Sequence, residues 1–229
     1  MEEYKERFID FMVGADVLTF GDFTTKSGRQ TPFFINTGKY RTGAQMAQLS
    51  DFYASAIHSH LGDSFDVLFG PAYKGIPLAV ATSMALSRGA QGRAGQDCAF
   101  CFNRKEKKDH GEGGVLVGHS LKDGDRVLII EDVTTAGTSI RESVPLLRGA
   151  AKVELSGLVV SVDRMERGQG TQNALAELRD EFGLNTFAIV TIEEVMGYLK
   201  GRELNGKVVL TDAIYQSMQA YRDRYGGTV

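Results

Sequence analysis

Two adjacent carboxylates, Glu131 and Asp132, follow the apolar run "VLII" and precede small and hydroxyl-bearing residues. Adjacent carboxylates would repel a phosphate, but they can accept hydrogen bonds from sugar hydroxyls or approach a metal ion. Hydroxyls and backbone amides at a strand-to-helix turn bind phosphate, and Gly137 allows a tight turn. The spacing therefore predicts a phosphorylated-sugar site, whose phosphate contacts Val133, Thr134, Thr135, Ala136, Gly137, Thr138 and Ser139.

The alternative for this stretch is that the two acids solvate a strand end while the threonines cap a helix. If only six residues matched the pattern of a phosphate-binding turn, this alternative would be favoured. Ser139 and Glu142 also have the S-x-x-E spacing of a capping box. This spacing predicts a helix that begins at Ser139.

A second stretch, Phe102 to Gly114, concentrates positive charge and glycine. Its cationic residues and its histidine are Arg104, Lys105, Lys107, Lys108 and His110. Such a segment is too polar for a core but cationic enough to cover a diphosphate, and its glycines allow it to open and close. The alternative is a solvated surface hairpin, because charge runs usually face water.

A third stretch, Gly70 to Gly75, separates an apolar strand from a helix and contains Tyr73 and Lys74. Its backbone amides and the Lys74 ammonium can together hold an anion. Lys74 could instead be plain surface charge, but its place after a strand's carboxyl end favours binding.

The composition limits the classes of function. The chain has 229 residues, 42% hydrophobic and 24% charged, which suits one sizeable core. A net charge of −3 gives no overall field for nucleic acid or an anionic membrane. No signal peptide or membrane span is apparent, so we expect a cytoplasmic protein without nucleic-acid or membrane partners. Cys98 and Cys101 form a lone C-x-x-C, interpreted as reduced, buried cysteines rather than a redox pair or half of a zinc site.

The elements that position these residues alternate between short apolar strands and helices. Strands are predicted at "DVLFG", "CAFCF", "RVLIIED", "LSGLVVSVD" and "FAIV", with helices at Ala44 to Leu61, from Ile76, from Ser139 and near Ala174. This order predicts an α/β fold with a mostly parallel central sheet flanked by helices. Ligands of such sheets bind at the carboxyl ends of strands, where the polar stretches lie.

The stretch "VLIIEDVTTAGTS" resembles the phosphoribosyl diphosphate (PRPP) signature of the type I phosphoribosyltransferases. Neither a Walker A pattern nor a G-x-G-x-x-G turn is found. The resemblance implies a small N-terminal hood on the fold, with Glu131 and Asp132 binding the ribose hydroxyls and the following turn binding the 5-phosphate. Tyr73 and Lys74 lie in a stretch similar to the family's diphosphate loop, where relatives often have a cis peptide. The implied cofactor is Mg²⁺, held mainly by substrate oxygens and water rather than directly by the protein.

The cationic segment is similar to the mobile catalytic loop of the members of this family that act on orotate. The resemblance implies transfer of the 5-phosphoribosyl group from PRPP to orotate. The implied catalytic residues are Lys105, Lys108, His110 and Asp132, and Lys26 and Arg104 join the implied PRPP-binding set. The implied orotate-binding residues are Lys26, Phe34, Ile35, Thr135 and Arg164.

Arg164 is the residue that discriminates between bases in this interpretation. Its guanidinium offers a planar fork for the carboxylate and neighbouring carbonyl of the base. The alternative is a surface ion pair with Asp163 or Glu166. Ile35 departs from the pattern, since bacterial relatives commonly have a second aromatic residue at this place.

We expect a single catalytic domain over residues 1–229. It would comprise a hood and base-binding segment (1–42), an α/β core (43–200) with a mobile loop (103–114), and a C-terminal helix (201–229). The resemblance also implies a homodimer in which the loop reaches the neighbouring subunit's site.

Two other functions remain open at this stage. One is a phosphoribosyltransferase for a different base. Such an enzyme would share the PRPP turn, but it would have no need of the cationic loop or Arg164. The other is a PRPP-sensing regulator that binds nucleic acid or protein, which the net charge opposes.

Overall fold

Strand β6 (Arg126–Glu131) accounts for the apolar run that precedes the two acids. Its side chains alternate between two hydrophobic cores, with Leu128 and Ile130 in one and Val127 and Ile129 in the other. All four side chains are fully buried. A strand covered on both faces lies in the middle of a parallel sheet, which is why it reads as a continuous apolar run.

The computed structural model describes residues 1–24, 28–89, 95–106, 115–134, 136–204 and 206–228. The strands that join β6 in the central sheet are β3 (Val67–Gly70), β4 (Ala99–Asn103), β5 (Leu116–Gly118), β7 (Glu154–Asp163) and β8 (Thr186–Thr191). The spatial order is β5-β4-β3-β6-β7-β8. Every neighbouring pair is parallel except β4 and β5.

Helices cover both faces of this sheet. The helices of the described residues are α1 (Glu3–Gly14), α2 (Gly43–His60), α3 (Gly75–Arg88), α4 (Thr138–Ala150), α5 (Ala174–Phe182), α6 (Ile192–Leu199) and α7 (Asp212–Tyr225). Helices α4 and α5 contribute to one core, and the other five helices contribute to the second. The prediction of an α/β fold with a mostly parallel, helix-flanked sheet is confirmed.

An antiparallel hairpin precedes the central sheet. It pairs β1 (Leu18–Thr24) with β2 (Gln30–Ile35). Phe33 of β2 is buried and meets the ring of Tyr221 in α7 edge to face, with the centroids 5.9 Å apart. The C-terminal helix therefore packs against the hairpin. A further two-stranded sheet, β9 (Glu203–Leu204) with β10 (Lys207–Val208), precedes α7.

The start of α4 differs from the prediction. The helix begins at Thr138, with Gly137 as its N-cap residue, and no side chain caps it. The predicted capping box from Ser139 is therefore wrong, because the Ser139 hydroxyl donates to Glu131 instead. Helix α6 and the antiparallel strand β5 were not predicted from the sequence.

Cys98 and Cys101 are free and buried, as expected. Burial raises the pKa of Cys98 to about 11 and that of Cys101 to about 12. Within the described ranges, no helix is both long enough and apolar enough to cross a bilayer.

Candidate active site

Asp132 directly follows β6 at the carboxyl edge of the sheet, where Lys74 and Thr37 meet it. The Lys74 ammonium lies 2.8 Å from Asp132 Oδ2, and the Thr37 hydroxyl donates to the same oxygen over 2.6 Å. The three residues line a cavity of about 180 Å³. An acid, a cation and a hydroxyl are thus brought together where open α/β sheets bind ligands.

The main chain around Asp132 is fixed from two sides. Ser161 of β7 donates both its amide and its hydroxyl to the Asp132 carbonyl oxygen, over 2.8 Å and 2.6 Å. Tyr53 of α2 donates its phenol to the Glu131 carbonyl oxygen over 2.8 Å. These contacts hold the acid pair rigidly in place, which favours precise orientation of a bound sugar.

The pKa values of the two acids are shifted in opposite directions. Burial alone would raise the pKa of Asp132, but hydrogen bonds from Lys74 and Thr37 outweigh it and the pKa is lowered. Burial raises the pKa of Glu131 to about 7, and the negative charge of Asp132 adds to this effect. Glu131 Oε1 accepts the Asp132 amide at 3.0 Å and Oε2 accepts the Ser139 hydroxyl at 2.9 Å. Both Glu131 oxygens therefore bind protein donors.

The turn after the acids closes on itself before α4 begins. Gly137 has a φ of 68° and donates its amide to Thr134 Oγ1 over 3.0 Å. A Cβ at position 137 would lie 2.9 Å from the side chain of Leu178, so both the conformation and the packing require glycine. Val133, Thr134 and Ala136 are half-buried in this turn, and Thr138 is exposed at the helix N-terminus. The first helical amides of α4 are oriented to bind an anion.

The loop after β3 is built on two glycines in close contact. A Cβ on Gly70 would lie 2.1 Å from the Gly75 carbonyl oxygen, so only glycine fits there. The Ala72–Tyr73 peptide is cis, as the resemblance implied. Tyr73 is 67% exposed.

Asn103, at the end of β4, links the cationic segment to this loop. Its side-chain oxygen accepts the Ala72 amide over 2.8 Å. Next along the chain, Arg104 is half-buried and donates its amide to the Val115 carbonyl. The Lys105 ammonium lies 5.5 Å from the centre of the Tyr73 ring. The described start of the cationic segment therefore lies beside the Gly70–Gly75 loop.

Arg164 follows β7 and contacts a different set of residues. Its Nε donates to Glu166 Oε1 over 2.9 Å, and its guanidinium lies 4.5 Å from the centre of the Phe33 ring. The side chain is 10% exposed, so this is a largely buried pair rather than a surface one. Among the described residues, those lining the cavity of Asp132 and Lys74 do not include Arg164.

Phe34 and Ile35 end strand β2 near this set. Phe34 is exposed and packs against Phe23 across the hairpin, with ring centroids 5.7 Å apart. Ile35 is half-buried.

Four predicted site residues lie outside the described residues: Lys26, Lys108, His110 and Thr135.

Three residues with notable contacts were not assigned to the site from the sequence. Thr37 lies within the predicted hood and base-binding segment (1–42), and that position was the available signal. Glu166 was considered only as a surface partner of Arg164. Asn103 ends a strand whose side chains read as core, so nothing in its immediate sequence indicated its contact with the loop.

The chain matches the family model described as "Phosphoribosyl transferase domain" over residues 36–178. This range is more than half of the protein and includes Thr37, Lys74, Asp132 and Arg164. The protein belongs to the phosphoribosyltransferase family.

Its relatives narrow that assignment. The protein is 58% identical over 226 residues to the orotate phosphoribosyltransferase of Lachnoclostridium phytofermentans and 55% identical to that of Clostridium acetobutylicum, with 99% of each chain covered. The crystal structure of orotate phosphoribosyltransferase from Francisella tularensis superimposes with a TM-score of 0.81 at 36% identity, covering 96% of this chain and all of that one. Within its family, the protein therefore groups with the orotate phosphoribosyltransferases.

Proposed function

We propose that the protein transfers the 5-phosphoribosyl group of PRPP to N1 of orotate, forming orotidine 5'-monophosphate and diphosphate in pyrimidine biosynthesis. One observation carries the proposal: Asp132, Lys74 and Thr37 meet at the sheet's carboxyl edge, in a chain 58% identical over 226 residues to a protein named orotate phosphoribosyltransferase. The similarity supports the reaction, and the contacts support our proposal that it takes place at this edge of the sheet.

The ribose and its phosphate would be held at both ends. In our proposal the turn from Val133 to Ser139 seats the 5-phosphate against the N-terminus of α4. Asp132 accepts a ribose hydroxyl. Glu131 lies behind Asp132 and fixes the turn through Ser139. This role is supported by the hydrogen bonds that both Glu131 carboxylate oxygens accept. Fixing the sugar in this way orients its anomeric carbon for attack.

The reaction requires the diphosphate to depart while positive charge develops on the sugar. We assign neutralisation of the leaving group to Lys74 in the Gly70–Gly75 loop and to Arg104, Lys105 and Lys108 in the cationic segment, while the Tyr73 phenol would donate a hydrogen bond to the diphosphate. His110 would donate to the departing diphosphate or anchor the closed loop. Orotate N1 then attacks the opposite face of C1 as the C1–oxygen bond to diphosphate breaks, with inversion and without a covalent enzyme intermediate, and the proton of N1 is lost to the departing diphosphate or to solvent. Preorganised cations at the leaving group lower the barrier because they interact most strongly with the charge that develops there.

Mg²⁺ fits this site as an ion bound chiefly through the substrate. The Asp132 and Glu131 carboxylates already accept hydrogen bonds from Lys74, Thr37 and Ser139. Among the described residues, no group of three or more acids, histidines or cysteines could enclose a metal. Asp132 is the acid placed to contact a hydrated ion, and the ion would neutralise the charge of the diphosphate.

Base recognition is assigned to the other end of the site. We propose that Arg164 binds the orotate carboxylate, that Phe34 covers a face of the pyrimidine, and that Lys26, Ile35 and Thr135 contact its edge. The half-exposed ring of Phe34 and the fixed guanidinium of Arg164 support this assignment.

We further propose that residues 1–229 act as one catalytic domain and that two copies form a homodimer sharing the segment 103–114. Size-exclusion chromatography with light scattering tests the dimer, and a monomer with full activity would contradict it. A cytoplasmic location stays a prediction.

The reaction is tested by following the ultraviolet absorbance of orotate after addition of PRPP and Mg²⁺. We expect turnover with orotate and none with uracil, hypoxanthine or adenine. Lys108→Ala should lower kcat by about 100-fold, since it removes a cation from the leaving group. Lys122→Ala, which removes an exposed lysine from the loop before β6, is the matched control. Binding of PRPP without turnover of orotate would contradict the proposal.

A further inference from the structure

Glu166 is a buried carboxylate with three donors from three parts of the chain. It is only 8% exposed. Its Oε1 accepts Nε of Arg164 over 2.9 Å and the Tyr221 hydroxyl over 3.0 Å, and its Oε2 accepts Nη1 of Arg29 over 3.0 Å. These four residues, called here the Glu166 cluster, join the hairpin, the segment after β7 and helix α7.

The cluster fixes the orientation of the Arg164 guanidinium. Its Nε and Nη2 both contact Glu166, and the Phe33 ring lies 4.5 Å from its carbon. One edge and one face of the fork are therefore occupied. Among the residues that the structure describes, Nη1 of Arg164 makes no hydrogen bond, so one edge remains for a planar acceptor.

The charges of the cluster do not cancel. Glu166 supplies one negative charge, whereas Arg29 and Arg164 supply two permanent positive charges. Glu166 thus removes part of the repulsion between the two guanidiniums but leaves a net positive charge. Counted over these four residues, the surplus of one positive charge suits a ligand with a single carboxylate.

We propose that Glu166 is a positioning residue for base recognition, which holds Arg164 with its remaining edge toward the carboxylate of the base, while Arg29 keeps the cluster cationic. The inference rests on the proposed function, because orotate is the base that carries this carboxylate. Tyr221 acts with Glu166 by tying the carboxylate to helix α7.

The main test compares Glu166→Gln with the wild type in steady-state kinetics. Gln keeps the shape but removes the charge and cannot accept from all three donors. We expect KM for orotate to rise about tenfold or more, with KM for PRPP and kcat at saturating orotate within about threefold. Glu193→Gln is the matched control, since it removes the exposed partner of Arg222. Its KM for orotate should equal that of the wild type.

Two milder variants separate position from charge and guard against loss of folding. Glu166→Asp keeps the charge but withdraws the carboxylate by one methylene, so it should also raise KM for orotate; a wild-type value would overturn positioning by Glu166. Tyr221→Phe keeps the ring and removes one donor, and should raise KM for orotate about two- to fivefold.

The remaining outcomes are distinguishable. If Glu166→Gln leaves KM for orotate within twofold of the wild type, or raises both KM values together with a fall in Tm, the inference is overturned. If Glu166→Gln does not fold, an unchanged KM for orotate in both Glu166→Asp and Tyr221→Phe overturns it. A wild-type protein that turns over no orotate would instead reject the proposed function, and this inference with it.

Discussion

Two clusters of charged side chains in this protein have opposite balances of charge. At the carboxyl end of β6, two neighbouring carboxylates, Glu131 and Asp132, lie beside one cation, Lys74, which pairs with Asp132. In the Glu166 cluster, one carboxylate is shared by Arg29 and Arg164. The first balance suits hydroxyl donors and a hydrated cation, and the second suits an anionic base. In our proposal, the ratio of acids to cations at each cluster distinguishes the end of the site that binds the sugar from the end that binds the base.

Two equally buried glutamates differ in the donors that contact them. Glu131 and Glu166 are each 8% exposed. The donors to the Glu131 carboxylate are a hydroxyl and an amide, and burial raises its pKa to about 7. Glu166 is contacted by two guanidiniums and a phenol. A buried carboxylate without a cation in contact is held near its neutral form, because desolvation disfavours the charge.

Asp132→Asn should break the first cluster with the largest effect. The change removes the negative charge from the acceptor shared by Lys74 and Thr37 and leaves the Lys74 cation without a charged partner. We expect kcat/KM for PRPP to fall by about 100- to 1000-fold, while direct binding of orotate, measured by calorimetry, changes little. Asp212→Asn, at the exposed start of α7, is the control and should keep full activity.

A loss of orotate binding in Asp132→Asn equal to the loss in PRPP use would contradict the division into two ends. The two clusters would then behave as one unit, and the comparison between their charge balances would lose its functional meaning.

Arg164→Lys should affect the second cluster alone. Lysine keeps the positive charge but loses the planar fork, so it cannot bind Glu166 and a base carboxylate along two separate edges. We expect KM for orotate to rise about 10- to 100-fold, as for the loss of a hydrogen bond between charged groups. KM for PRPP, measured in the same assay, should stay within about twofold. A lysine variant with a wild-type KM for orotate would show that charge alone is sufficient there.

The first cluster was largely predictable from the sequence and the second was not. Glu131 and Asp132 follow a doubly buried strand, and Lys74 follows its neighbour, so the rule for parallel sheets brings them to one edge. Glu166 gains its partners from residues 137 positions upstream and 55 positions downstream. Nothing in the local pattern of "RMERG" indicates that helix α7 returns to cover it, because the contact depends on tertiary packing.

The capping-box error has a related cause. Ser139 and Glu142 have the correct spacing, but the acid that captures the Ser139 hydroxyl is Glu131, which is fixed by strand pairing before the helix begins. Local hydrogen-bond preferences of serine were overridden by a buried acceptor nearby.

Glu131→Gln should change how the stability of the protein depends on pH. A folded-state pKa of about 7, raised from 4.5, means that the folded protein binds more protons at Glu131 than the unfolded chain does. The wild type therefore loses stability relative to the Gln variant as pH rises through 7, by roughly 1 kcal/mol between pH 6 and pH 8. The lowered pKa of Asp132 stabilises the fold equally across that window and cancels in the difference.

The measurement is Tm of both proteins from pH 6 to pH 8 without substrates. The difference in favour of Glu131→Gln should grow by a few degrees toward pH 8. A difference that stays constant across the window would mean that Glu131 titrates well below 6, and burial would then not hold this carboxyl protonated.

Thr37→Val is the smallest test of the first cluster. Valine keeps the shape of threonine and removes only the hydroxyl that donates to Asp132 Oδ2 and accepts from Lys74. Losing one such hydrogen bond corresponds to about a fivefold fall in kcat/KM for PRPP. Thr82→Val is a matched control, because the buried Thr82 hydroxyl has no hydrogen-bond partner among the described residues.

The size of the Thr37 effect distinguishes two accounts of Asp132. If Thr37 merely fills space, Thr37→Val and Thr82→Val will have the same kcat/KM as the wild type. If the hydroxyl helps to fix the carboxylate between Lys74 and the cavity, only Thr37→Val loses activity, and KM for orotate stays unchanged. A change in KM for orotate instead would mean that Thr37 acts in binding the base rather than in binding PRPP.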